Sequence, residues 1–200
     1  HAAQYIGGDR RQNQHAQKLL GEGFAPEPAN PEFPLNMARA HFNLRERDKA
    51  RAALEQALDL AGDRLDIFAD VYAAWLIEQD RAAAAAVMER VSALNPPAEF
   101  YLDMGMQAIR RTAAPEPQSP FAALMPPTSR RAKPAPDPAW MQFGTELINR
   151  GMAVSPNDAK LHGAVAAGLM GIADDLALDH AQQAMALAPN DSEPMIVYAM

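Results

Sequence analysis

The feature that most constrains this chain is a self-similarity at a fixed offset. Between 31 and 98 the sequence is two copies of one pattern, and one follows the other at an offset of 34 without a gap. Met37 matches Val71, Ala50 matches Ala84, Leu54 matches Met88, Ala57 matches Val91, and Leu60 matches Leu94. Gly62 stands where the second copy has Pro96. In each copy apolar residues recur at spacings of three and four, over 33–44 and 47–60, then over 65–78 and 81–94. That spacing predicts two amphipathic helices per copy. Gly62-Asp63 and Asn95-Pro96-Pro97 stop the copies, and Asp80 is placed to cap the helix that follows it. A helical hairpin of this size cannot bury its own apolar stripe, so successive copies must stack to do so.

Composition points the same way. Hydrophobic residues make up 48% of the chain but aromatic residues only 6%. Alanine and leucine therefore carry the core, which suits close-packed helices better than a sheet. A net charge of −7 disfavours non-specific binding to nucleic acid or to an anionic membrane. The absence of cysteine excludes disulfides and thiolate chemistry and leaves the compartment open, cytoplasmic or periplasmic. No apolar run approaches the roughly 18 residues of a spanning helix. A chain that opens on His1 and stops inside a repeat is expected to be part of a longer protein.

Over 31–98 the pattern resembles the tetratricopeptide repeat family. That family carries small residues at repeat positions 8, 20 and 27, matched here by Ala38, Ala50 and Ala57, then by Tyr72, Ala84 and Val91. Tyr72 departs from the pattern, and the usual Trp at position 4 is Pro34 and then Phe68. The resemblance implies an all-α, right-handed α-solenoid of stacked antiparallel helical hairpins. The expected organisation starts with a capping helix or worn repeat and connector over 1–30, with its helix closed by Gly21-Glu22-Gly23. Repeats follow over 31–64 and 65–98. A third, over 99–156, is split by a proline-rich insertion at 113–138, because Gly144, Gly151 and Pro156 resume beyond it the register of Ala84, Val91 and Pro96. A fourth repeat covers 157–190, and 191–200 is the first helix of a truncated one. Within the insertion, 121–125 is an apolar cluster, and Arg130, Arg131 and Lys133 are basic.

No catalytic constellation is present in the sequence. The histidines at 1, 15, 41, 162 and 180 form no H-x-x-x-H or H-E-x-x-H pair, and phosphate-loop and G-x-S-x-G motifs are absent. No metal ligand set or cofactor is expected, and the segment is read as not an enzyme. His41 is expected to be a half-buried packing residue. What remains is surface. The resemblance implies that the first helix of each repeat lines a concave groove, and it assigns Asn36, Arg39, Asn43, Asp70, Gln107, Arg110, Arg111 and His162 to that groove. The positions with which chaperone-tail binders of the family hold a carboxylate are Leu35, Arg39, Asp70, Phe100 and Met104 here, so that specialised clamp is excluded. The leading functional expectation is a non-catalytic scaffold that binds a protein or peptide segment, of some acidic character, across repeats one to three. Two alternatives stay open: an envelope module of a polymer-export or secretion machine, and the regulatory array of an enzyme whose catalytic domain lies outside this segment.

Overall fold

The computed structural model describes residues 10–24, 26–112 and 137–189. Among these the regular structure is helical throughout. The helices are α1 (Arg10–Phe24), α2 (Glu32–Asn43), α3 (Arg47–Leu60), α4 (Leu65–Ile77), α5 (Arg81–Ser92), α6 (Ala98–Thr112), α7 (Pro138–Val154), α8 (Ala159–Leu169) and α9 (Asp174–Leu187). The chain divides into two compact units, with the division between Asn95 and Pro96. The apolar cluster at 121–125, Arg130, Arg131, Lys133 and the truncated repeat at 191–200 lie outside the described residues, as does all of the insertion except Asp137 and Pro138.

In the first unit α2 pairs with α3 and α4 with α5, and the second pair stacks on the first. The fold is an all-α stack of helical hairpins of tetratricopeptide-like form. The six positions assigned to small residues, Ala38, Ala50, Ala57, Tyr72, Ala84 and Val91, are all 0% exposed. Tyr72 thus fills a place where the repeat pattern has a small side chain, and burial pushes its hydroxyl far above the ordinary tyrosine range.

The repeat period is written in the backbone as well as in the side chains. Arg45 and Gln79 both adopt left-handed φ values, 63° and 57°. Around Arg45, the Glu46 N–H donates to His41 O and the Arg45 N–H to Phe42 O, each at 2.9 Å. Around Gln79, the Asp80 N–H donates to Trp75 O at 3.0 Å and the Gln79 N–H to Leu76 O at 3.2 Å. This is the Schellman pattern, in which two orphan carbonyls at a helix end are satisfied at once. It lets the second helix of each hairpin restart almost at once. Glycine is usual at the left-handed position, and a side chain there costs about 1–2 kcal/mol. Asp80 then caps α5, accepting from the Ala83 N–H at 3.0 Å.

At the N-terminal end α1 packs on α2. The expectation that Gly21-Glu22-Gly23 closes this helix is wrong: α1 continues through both glycines to Phe24. The reason is contact with α2. A Cβ on Gly23 would lie 2.6 Å from the Phe33 ring, and Phe24 meets the same ring at a centroid distance of 6.2 Å. Gly23 is therefore a close-approach residue, not a stop. Polar contacts complete the seam. Asn13, 2% exposed, accepts from the Asn43 amide at 3.2 Å. His41 Nδ1 lies 2.6 Å from Glu46 Oε2 and 2.8 Å from Gln17 Nε2. His41, then Lys49 and Gln17, hold the Glu46 carboxyl down to about 2.

In the second unit α6 and α7 are joined through 113–137 yet lie directly against each other, antiparallel. A Cβ on Gly144 would stand 2.5 Å from Ile109 and 2.6 Å from the Gly105 carbonyl, and one on Gly151 would stand 2.9 Å from the Ala98 carbonyl. Asp137 caps α7 by accepting from the Ala139 N–H at 2.8 Å. Asp158 caps α8 through the N–H groups of Lys160 and Leu161. Leu102, Met106, Ile109, Ile148 and Met152 meet Leu161, Val165, Leu169, Ala173 and Ala177 in one core.

Two substitutions in this unit test the packing account with opposite signs. Gly144→Ala should destabilise by about 1–3 kcal/mol, because the obstructing Gly105 carbonyl is backbone and cannot step aside. Gly163 sits inside α8 with nothing within 4 Å of an added Cβ. Gly163→Ala should therefore stabilise by up to about 1 kcal/mol through helix propensity alone. Urea denaturation of the two variants beside the parent chain measures both.

Candidate functional site

A cleft of about 330 Å³ opens in the first unit, lined by Arg39, Phe42 and Asn43 from α2 and by Asp70, Ala73, Ala74 and Ile77 from α4, with Glu78 just beyond. Its floor is apolar. Ile77 is 60% exposed, the largest exposure among the bulky apolar residues described. Phe42 forms one wall and packs edge-on against Trp75, with centroids 6.3 Å apart. Trp75 has a second partner in Arg51, whose guanidinium carbon stands 5.1 Å from the ring centroid. The indole N–H of Trp75 is buried without an acceptor among the described residues. The aromatic wall is thus anchored by packing, and Phe42 is held by a residue that is itself 3% exposed.

The rim is polar and its charges are already paired. Arg39 donates to Asp70 Oδ2 at 3.0 Å and to Asn36 Oδ1 at 3.3 Å, and Asn36 donates to Glu32 O at 2.9 Å. Glu78 meets Arg47 at 3.2 Å. Further along the same face Arg64 joins Glu32 and Asp66, at 3.1 and 2.6 Å. The Arg64 guanidinium beside Asp66 holds that carboxyl below the usual aspartate range. Three of these bonds, Arg39–Asp70, Arg47–Glu78 and Arg64–Glu32, run from one hairpin to the next, so they stitch the stack as well as decorate its face.

Of the residues assigned to the groove from sequence, Asn36, Arg39, Asn43 and Asp70 come together here. Asn43 has a second role, since its amide bonds the buried Asn13 of α1. Gln107, Arg110 and Arg111 lie on α6 in the second unit, where Arg110 Nε donates to the Gly168 carbonyl at 3.0 Å and braces α6 to α8. His162 is not on an open face. It is 3% exposed and turned towards α9. The ring is closed in by His180 of α9, which packs over it from 18 residues further along the chain. Sequence reasoning assigns no site role to Ala74 or Glu78. It also gives no sign that Arg39 is engaged, because its partner lies a full hairpin away.

Among the described residues no group of three or more His, Asp or Glu is placed to hold a metal ion, and no helix is long and apolar enough to cross a membrane.

No family model matches the sequence, and no curated protein matches it. Three solved structures similar to the chain are those of MamA, of the APC/C hetero-tetramer Cut9-Hcn1, and of TTC0263, a thermophilic TPR protein in Thermus thermophilus. MamA is 13% identical, with 89% of this chain and 90% of that one covered and a TM-score of 0.44. Cut9-Hcn1 is 17% identical, covering 94% and 39%, with a TM-score of 0.38. TTC0263 is 16% identical, covering 94% and 89%, with a TM-score of 0.36. None of the three is close enough to bring a function with it.

The Arg39–Asp70 pair has both side chains about half exposed, at 45% and 50%. Such a pair contributes no more than about 1 kcal/mol to folding. Arg39→Ala and Asp70→Ala should each leave the chemical denaturation midpoint nearly unchanged, which qualifies both as probes of binding. A loss of more than about 2 kcal/mol in either, the size expected of a broken buried network, would make the pair a structural element instead.

Proposed function

We propose that this chain is a protein-interaction module that takes an extended or helical segment of a partner protein in the cleft between α2 and α4. The observation that carries the reading is the apolar floor. Ile77, Phe42, Ala73 and Ala74 form one accessible strip inside a polar rim, the arrangement by which an anchoring side chain is desolvated while its surroundings stay wet. Helical repeats present such strips on rigid elements, so a partner need not order the site when it binds.

The chemistry of the rim refines the partner. An acidic group on the partner would have to compete with Asp70 for Arg39, so acidic character adds orientation more than affinity. The apolar anchor supplies the larger share, because burying one aliphatic side chain stabilises by about 1.5–3 kcal/mol.

The test is a peptide-display selection against the chain, followed by affinity measurement of the selected peptides on variants. Ile77→Asp should weaken binding at least about tenfold, or about 1.4 kcal/mol, by placing a charge on the floor. Arg39→Ala should cost about 1 kcal/mol. Asp48→Ala and Gln56→Ala, on α3, should change little. If the α3 variants abolish binding while Ile77→Asp leaves it intact, the cleft is not the site.

A further inference from the structure

The second unit buries two histidines against each other. His162 on α8 is 3% exposed and His180 on α9 is 5% exposed. Their Nδ1 atoms are 2.9 Å apart, and the ring centroids stand 5.1 Å apart at 36°. The Nε2 of His162 lies 3.4 Å from the carbonyl of Pro156, which can only accept. Those contacts favour one placement of the protons. His162 carries its proton on Nε2 and donates it to Pro156, so its Nδ1 is a bare acceptor. His180 must then carry its proton on Nδ1 and donate it to His162. The contact holds with a single proton between the two Nδ1 atoms, and it joins the helices of the hairpin across a sequence separation of 18.

We propose that His162 and His180 form an acid-sensitive latch, which closes the α8–α9 hairpin while one proton is shared between their Nδ1 atoms and releases it when further protons are taken up. The first added proton goes to His180 Nε2, the nitrogen with no proton in this arrangement. It leaves the Nδ1 contact intact but creates an imidazolium in a nearly closed interior. The second goes to His162 Nδ1, and two N–H groups then face each other across a hydrogen-bond distance. Either step is relieved by hydrating the pair, which requires α8 and α9 to part.

The surroundings offer little compensation. Asp179, adjacent to His180 on α9, favours the charged form but does not outweigh burial and the neighbouring imidazole, which together hold His180 below the ordinary histidine value of 6.5. At the start of α8, Asp158 is committed to the N–H groups of Lys160 and Leu161, and Lys160 would only repel an imidazolium. At the start of α9, Asp174 is committed to the Gly171 N–H at 2.6 Å, with Asp175 beside it on the exposed side. The core residues that α6 and α7 turn towards α8 and α9 are apolar: Leu102, Met106, Ile109, Ile148 and Met152. From α6 Arg110 reaches α8 only at Gly168, at the opposite end from His162. A group held below its unfolded pKa supports the fold fully above that unfolded value. Its support is lost as pH falls towards the lowered folded value. The window is therefore below about pH 6.5, the histidine range.

Hydrogen exchange on the full 200-residue chain at pH 7 and pH 5, corrected for the intrinsic pH dependence of exchange, tests the latch. Protection over 159–187 should fall about five- to twentyfold on acidification, as linkage to one uncharged buried histidine allows, while 47–92 should hold within about twofold. His180→Phe should flatten the acid response of 159–187, and His162→Gln should reduce it. Equal protection at the two pH values, or a full acid response retained in His180→Phe, overturns the proposal. Should a variant not fold, imidazole nitrogen shifts of the parent chain decide. Unequal tautomers at pH 7 with His180 titrating below the ordinary histidine value of 6.5 support the latch, and His180 titrating at that value overturns it.

Discussion

Everything in this structure depends on how closely short helices can approach one another. The helices span 11 to 17 residues, which leaves most of them marginal alone in water. They gain stability only by packing, and the packing distance is set where side chains are smallest. Ala38, Ala50, Ala57 and Ala84 are wholly enclosed. Between α6 and α7 the same function passes to glycine, and the backbones come so near that a single methyl would strike a carbonyl. Close approach brings many dispersion contacts that are individually tiny, and it permits a core made mostly of alanine, leucine and methionine.

The tight hairpin turns of the first unit serve that packing. Each joins its two helices in few residues, and the repeated left-handed positions at Arg45 and Gln79 achieve this at a local cost. Once α2 returns as α3, the next hairpin has to bury what the first leaves open. Polar bonds then join one hairpin to the next: Arg51 to Asp80 at 2.7 Å, Arg90 to Asp59 at 2.9 Å, Arg39 to Asp70 at 3.0 Å. Asp80 serves twice, capping α5 and receiving Arg51. These pairs are exposed and weak singly, and they act mainly to fix which face meets which.

Much of this is legible in the sequence, because a period of 34 constrains both helix length and the placement of small residues. The resemblance to the repeat family implies that Ala50 and Ala84 lie at helix crossings, and the resumed register sets Gly144 and Gly151 against a partner helix despite the residues intervening. What cannot be read are features that need distance across the stack. Gly21 and Gly23 look like a stop signal because glycine usually is one, and only the ring of Phe33 explains why the helix carries Gly23. Counting along the repeat puts His162 on an open face, and the count cannot show that His180, 18 positions on, closes over its ring. Arg39 looks available because its counter-ion, Asp70, is 31 positions away.

The engaged state of Arg39 changes what kind of recognition the cleft can perform. A free arginine on a rigid helix would select an acidic partner by charge, and its contribution would fall steeply with salt. Here the guanidinium is divided between Asp70 and Asn36, Asp66 and Glu32 share Arg64, and Glu78 has Arg47. Charge on this face is engaged in aligning hairpins. The part left open is the strip of Phe42, Ala73, Ala74 and Ile77, whose shape is fixed by Trp75 behind it. On the proposed reading, selectivity would come from the fit of an apolar side chain between two helices whose separation is set by the repeat itself. The constraint that folds the chain and the surface that would read a partner are therefore the same object, and a change at a helix crossing reaches the cleft without touching any residue that lines it.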